Sequence, residues 1–247
     1  LFTGCSKKAE SKVPDKLIVG TNAEFPPFEY MNDKKQPEGF DIAMIKEIGK
    51  RMGKKVEIKN MEFKSLIGAM ESDSINAIIA GMTKTEKREK AVDFSDSYYT
   101  TNQAIILKKD SKITKLAQLD GKKIGVQEGT TGDLISSGDK FGDGKKAKVL
   151  VKGAKVKRFK KGVDAVMDLK NGSVDAVVID ELTANEFVKK NAKKLKIVID
   201  SAGSEYYCIA LTKGNTAYKE EVNKQIKAIK EDGTYDKLKA KYIDSKN

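Results

Sequence analysis

Arg88 and Asp180 are the charged residues of this sequence best suited to gripping a small polar molecule. Arg88 closes the stretch Ala80-Gly81-Met82-Thr83-Lys84-Thr85-Glu86-Lys87-Arg88. Its planar guanidinium can hold a carboxylate through two parallel hydrogen bonds, a geometry that lysine cannot copy. Thr83 and Glu86 have capping-box spacing, which predicts a helix opening at Thr83 whose free N–H groups also favour an anion. Gly81, just before it, lets backbone approach closely. Asp180 ends the run Val174-Asp175-Ala176-Val177-Val178-Ile179. There a carboxylate can face a crevice and hold an ammonium, cap the next helix, or do both. Gly129-Thr130-Thr131-Gly132 leads into Asp133-Leu134-Ile135, a glycine-bearing turn entering a helix. Alone it reads as a plain turn with its cap.

What the sequence lacks narrows the chemistry. Its 247 residues include no histidine and two cysteines. Triad hydrolases and histidine-bearing zinc sites are thereby excluded, and neither metal nor cofactor is expected. Cys208, inside Tyr206-Tyr207-Cys208-Ile209-Ala210-Leu211, reads as a buried inert thiol. The net charge of +12 raises the question of nucleic acid. The lysines are scattered, as in Lys34-Lys35, Lys54-Lys55, Lys122-Lys123 and Lys193-Lys194, with no nucleic-acid motif beside them. They form a solvated coat, drawn to an anionic cell surface within about 8–10 Å at physiological salt. No nucleic-acid partner is expected, and no run is long enough to span a membrane.

The elements that must position these residues follow from periodicity. Apolar runs bounded by turn residues predict strands over 17–20, 56–61, 75–80, 123–127, 155–159, 174–179 and 195–199. Helical spacing predicts helices over 40–52, 63–70, 85–91, 163–169, 182–190 and 218–242, the last interrupted near Asp232-Gly233. In the first, Ile42, Ile45, Ile48 and Met52 share a face and Asp41 serves as cap. Alternating strands and helices argue for an α/β fold with largely parallel sheets. The stretch 66–70 with Ser74-Ile75-Asn76-Ala77-Ile78-Ile79 is echoed by 163–169 with Ser173-Val174-Asp175-Ala176-Val177-Val178. Two similar lobes are implied, joined by two short hinge strands at 103–108 and 204–211.

Several blocks, in order, carry a resemblance. Gly20-Thr21-Asn22-Ala23-Glu24-Phe25-Pro26-Pro27-Phe28-Glu29-Tyr30 is followed by Gly39-Phe40-Asp41, and the Arg88 stretch by Val92-Asp93-Phe94-Ser95-Asp96-Ser97-Tyr98-Tyr99. Gly125-Val126-Gln127-Glu128-Gly129-Thr130-Thr131-Gly132 and the strand ending at Asp180 complete the set. From about residue 17 to 242 the chain resembles the polar amino-acid solute-binding proteins of bacterial ABC importers, family 3, and among them the binders of arginine and other basic amino acids most.

The resemblance implies a two-lobed type II periplasmic-binding-protein fold with two mostly parallel sheets. Lobe 1 would comprise 15–104 plus 208–247, and lobe 2 would comprise 105–207. It implies a monomer that closes on a free amino acid and hands it to the importer's membrane subunits, with no enzymatic turnover. On this reading Arg88 takes the α-carboxylate together with Thr83 and Thr131, and Asp180 takes the α-ammonium. Phe25 and Phe63 sandwich the side chain, Gln127 lines its compartment, and Ala80 and Gly81 form the adjoining wall. Glu24, beside Phe25, matches an acidic loop position of relatives that take basic ligands, which favours arginine ahead of lysine. Asn22 departs from the pattern, standing where several basic- and glutamine-binding relatives have Asp, and suits glutamine or another polar ligand nearly as well. A dehydratase-like enzyme and a ligand-sensing module are the alternatives of another class on the same fold. Leu1-Phe2-Thr3-Gly4-Cys5 resembles the end of a lipoprotein signal, with Phe2 where Leu is usual. Residues 1–14 would then be signal remnant and tether, and a lipid on Cys5 would anchor the protein outside the cell membrane.

Overall fold

Residues 12–142, 144 and 147–244 are described by a computed structural model. Cys5 and its proposed lipid therefore lie outside the described residues. The first lobe starts with β1 (Lys16–Thr21) and a small antiparallel meander, β2 (Glu24–Phe25), β3 (Glu29–Met31) and β4 (Pro37–Glu38). α1 (Phe40–Arg51), β5 (Lys55–Asn60), α2 (Leu66–Glu71), β6 (Ala77–Ile78) and α3 (Glu86–Glu89) follow. β7 (Val92–Lys108) crosses to the second lobe. That lobe contains β8 (Lys123–Gln127), α4 (Thr131–Ser136), β9 (Lys140–Phe141), β10 (Lys148–Val149), β11 (Lys155–Phe159), α5 (Gly162–Asn171), β12 (Ala176–Asp180) and α6 (Glu181–Lys189). β13 (Leu195–Thr212) returns the chain, and α7 (Thr216–Glu231) and α8 (Thr234–Tyr242) pack back on α1.

The hinge segments are long, not short. β7 and β13 are strands of 17 and 18 residues that run antiparallel through both lobes. They fuse the two parallel groups into one ladder of order β11-β8-β12-β7-β13-β6-β1-β5. β1 pairs in parallel with β5 and β6, and β8 pairs in parallel with β11 and β12. Read from either end, the order places equivalent strands at equivalent positions, which is the spatial form of the internal echo. Where the lobes meet, the β7–β13 register slips between Asp200 and Glu205, and again around Cys208. Such slips release ladder hydrogen bonds and let strands bend.

One large buried cluster runs through both lobes, joining α1 and β1 to Val166 and Leu169 of α5 and Val177 and Ile179 of β12, and a smaller one lies within each lobe. Phe40, Met44, Ile45 and Ile48 of α1 share a buried cluster with Leu17 and Val19 of β1 and Val222, Ile226 and Ile229 of α7. In the second lobe Ile105 and Leu107 of β7 meet Ile124, Val126, Ile135 and Val178. Each such side chain contributes about 1.5–3 kcal/mol on burial. α1 is not capped by Asp41: Gly39 holds the N-cap position, and Asp41 is fully buried. The stretch expected as one helix over 63–70 splits into a 3-10 turn, Phe63–Ser65, and α2.

Candidate functional site

Arg88 reaches the crevice from a helix of a single turn. That turn is closed by Thr85, whose hydroxyl accepts from the Arg88 N–H at 3.2 Å. The capping-box expectation at Thr83 is therefore corrected by two residues. Thr83 instead forms a β-bridge with Tyr207, which fixes it in extended backbone. The Arg88 guanidinium donates from Nη1 to the Thr83 carbonyl at 2.6 Å and from Nη2 to the Gly129 carbonyl, across the crevice, at 3.0 Å. It lies 5.3 Å from the centre of the Phe63 ring. Burial pulls its pKa down, and Glu205 and Asp180 pull it back up.

From the second lobe, Thr130 caps α4 by accepting from the Asp133 N–H at 3.3 Å, which leaves Thr131 on the first helical turn. Gly132 is there for space, because a Cβ would stand 2.6 Å from the Val178 carbonyl oxygen of β12. Asp180 occupies the N-cap position of α6 but makes no side-chain cap bond. Its carboxylate turns inward, accepting from Gln103 Nε2 at 2.8 Å and from the Tyr207 hydroxyl. Burial pushes Asp180 up to about 6, against those hydrogen bonds and Arg88.

Behind the crevice wall, Asp41 accepts from the Gly81 N–H and from the Tyr98 hydroxyl, both at 2.7 Å. It thereby holds Gly81 in the left-handed conformation at φ 51°. Glu29, fully buried beside Asp41, is pushed well above the ordinary carboxylate range by burial and then by that neighbour's charge. Asp41 itself is raised to about 6 by burial.

Asn22, Phe25, Phe63, Ala80, Gly81, Arg88, Thr130, Thr131 and Asp180 line a narrow pocket between the lobes. Three expected residues stand outside that lining. Glu24 is at the rim, paired with Lys161 at 2.7 Å. Gln127 is buried behind Asn22, donating to its Oδ1 at 2.8 Å, while Asn22 donates to the Met61 carbonyl at 2.8 Å. Thr83 offers its carbonyl to Arg88 and its hydroxyl to Glu205. Sequence reasoning missed Thr130, Gln103, Tyr207 and Glu205. Glu205 and Tyr207 lie two apart in a strand and so point to one face, the signal that could have found them. Among the described residues no cluster of histidine, cysteine and acidic side chains is arranged to hold a metal ion.

The pocket is electrically polarised, with a guanidinium at one end and carboxylate and hydroxyl oxygens at the other. Residues 17–245 match the family model described as bacterial extracellular solute-binding proteins, family 3. The chain belongs to that family. It is 34% identical to the arginine-binding extracellular protein ArtP of Bacillus subtilis, over 97% of this chain and 91% of the relative. A solved ancestral arginine-binding protein bound to arginine superposes with a TM-score of 0.82 and 41% identity, covering 94% of this chain and all of the other. The same kind of ancestral protein bound to glutamine gives a TM-score of 0.81 at 41% identity, covering 94% and 99% of the two chains. The two-lobed type II fold is thus shared with these structures. Among the described residues no helix is long and apolar enough to cross a membrane.

Proposed function

We propose that this protein captures a free amino acid, arginine before lysine, by closing its lobes, and delivers it to an ABC importer on the extracytoplasmic side. The observation that carries the reading is the opposition of Arg88 and Asp180, both nearly buried, across one pocket. A zwitterion needs such a pair: a bidentate donor for its α-carboxylate and a carboxylate for its α-ammonium. The backbone N–H groups of the first turn of α4, that of Thr131 among them, add donors on the carboxylate side. Phe25 and Phe63 offer flat faces to the ligand's side chain, over the wall made by Ala80, Gly81 and Asn22. The arginine-binding relatives support the basic ligand.

In this reading the lobes are divided at 104/105 and 207/208, the protein works as a monomer without turnover, and Cys5 carries a lipid. The pairing of Glu24 with Lys161 and the two facing amides of Asn22 and Gln127 favour glutamine as the second reading. A thermal-shift screen of the proteinogenic amino acids, followed by calorimetry, decides between them, since a ligand stabilises the folded state by RT ln(1 + [L]/Kd). Arginine should give the largest shift. A larger shift with glutamine, together with unchanged arginine affinity in Glu24→Gln, overturns the basic assignment.

A further inference from the structure

Glu205 lies on β13 at the crossing between the lobes and is 1% exposed. It is not among the residues lining the pocket but stands behind them, against a groove on the far side. Its Oε2 accepts from the hydroxyls of Thr83 and Thr131, the latter at 2.7 Å, and its Oε1 accepts from Gln103 Nε2. Gln103 directs the same amide nitrogen at Asp180 Oδ1, 2.8 Å away. A threonine hydroxyl has one proton and two lone pairs. With that proton committed to an ionised Glu205 and one lone pair accepting from Gln103 Nε2 at 3.3 Å, the Thr131 hydroxyl can present only its remaining lone pair to the pocket it lines, beside the Asp180 carboxylate.

From this geometry we infer that Glu205 is a positioning residue that makes one end of the pocket purely accepting and so selects ligands with an α-ammonium over analogues without it. The inference rests on the amino-acid reading above. Glu205 needs no ligand contact to do this, because it acts through the direction of its neighbours' protons. An amide at this position cannot do the same. With its NH2 toward the threonines, their hydroxyl protons swing toward the ammonium. With its NH2 toward Gln103, two donors collide and the Gln103 amide turns away from Asp180. The charged and titratable groups facing Glu205 are Asp180 from β12, Arg88 from α3 and Tyr207 on β13. Burial first, then Asp180, push Glu205 up to about 8.

The test compares L-arginine with δ-guanidinovalerate, which is arginine without its α-amino group, by calorimetry at about pH 8.5, where Glu205 is mostly ionised, on wild type and Glu205→Gln. The wild-type preference for arginine should fall about tenfold or more in the variant, the loss expected for one charge-assisted hydrogen bond. A second measurement on the wild type serves if the variant does not fold. Between about pH 6 and about pH 8 the preference should rise, up to about tenfold per pH unit, as Glu205 ionises, while affinity for δ-guanidinovalerate does not rise with it. An unchanged preference in a folded variant, or a preference flat with pH in the wild type, overturns the assignment of Glu205. A wild type that binds neither arginine nor glutamine overturns the amino-acid reading itself.

Discussion

Replacing Arg88 with lysine keeps the charge and removes the fork. A guanidinium has five N–H donors, of which two are engaged by the Thr83 carbonyl at 2.6 Å and the Gly129 carbonyl at 3.0 Å. Three remain for an α-carboxylate, enough for a bidentate pair. An ammonium has three donors on one nitrogen, so serving both carbonyls leaves it one. The change from bidentate to single contact removes one charge-assisted hydrogen bond, about 1.5–3 kcal/mol. Losing the planar contact with Phe63 removes roughly 0.5–1 kcal/mol more. The sum, about 2–4 kcal/mol, weakens binding by about 30- to 1000-fold. Calorimetry with arginine and glutamine measures the effect, and circular dichroism of the ligand-free variant establishes that it is folded. An Arg88→Lys protein that binds within about threefold of wild type would refute the carboxylate fork.

Asp41→Ala should cost about 2–4 kcal/mol in denaturant unfolding, because the buried Gly81 N–H and Tyr98 hydroxyl lose their acceptor. Glu29→Gln should cost less than Asp41→Ala, because burial and the neighbouring Asp41 charge hold the Glu29 carboxyl well above the ordinary range and an amide removes that charge conflict; an equal or larger loss in Glu29→Gln would contradict this. Asp41 and Asp180, raised to about 6, and Glu205, raised to about 8, bind protons more tightly folded than unfolded. Their contribution is complete below the unfolded carboxylate pKa and is lost as pH rises through the folded values. The ligand-free melting temperature should therefore fall between about pH 5 and about pH 8, and a rise over that interval would count against it. Gly132→Ala pushes a Cβ to 2.6 Å from the Val178 carbonyl and should destabilise by about 1–3 kcal/mol while weakening ligand affinity through displaced α4; unchanged affinity would separate α4 from the site.

Strands whose apolar runs are bounded by lysine and glycine turns could be read residue by residue: 123–127 and 155–159 are β8 and β11. The convergence of Arg88 and Asp180 was legible because one follows and the other ends a short strand in an echoed half. What stayed hidden depends on pairings distant in sequence. Thr83 looked like a helix cap on local spacing, but its bridge to Tyr207 keeps it extended. Glu24 looked free for a ligand, and only the closed lobes bring Lys161 to it. Glu205, a lone glutamate in a strand, has the pattern of a solvent-facing residue. Its burial comes from the crossing of β7 and β13, whose lengths the apolar runs understate because polar residues interrupt both at the crossing.

Among the described residues, Lys161 and Glu24 form one of three ion pairs laced across the mouth of the crevice, with Lys64–Glu128 at 2.9 Å and Lys160–Glu62 at 2.7 Å. All three are open to water, so each adds only a little to the closed form, and most in dilute buffer. Salt screens such pairs. The time a captured molecule stays enclosed then depends on the medium: long in fresh water, shorter in brine, with the pocket unchanged. A cell carrying this protein would trade grip for speed of release as its surroundings concentrate, through ion pairs outside the pocket lining.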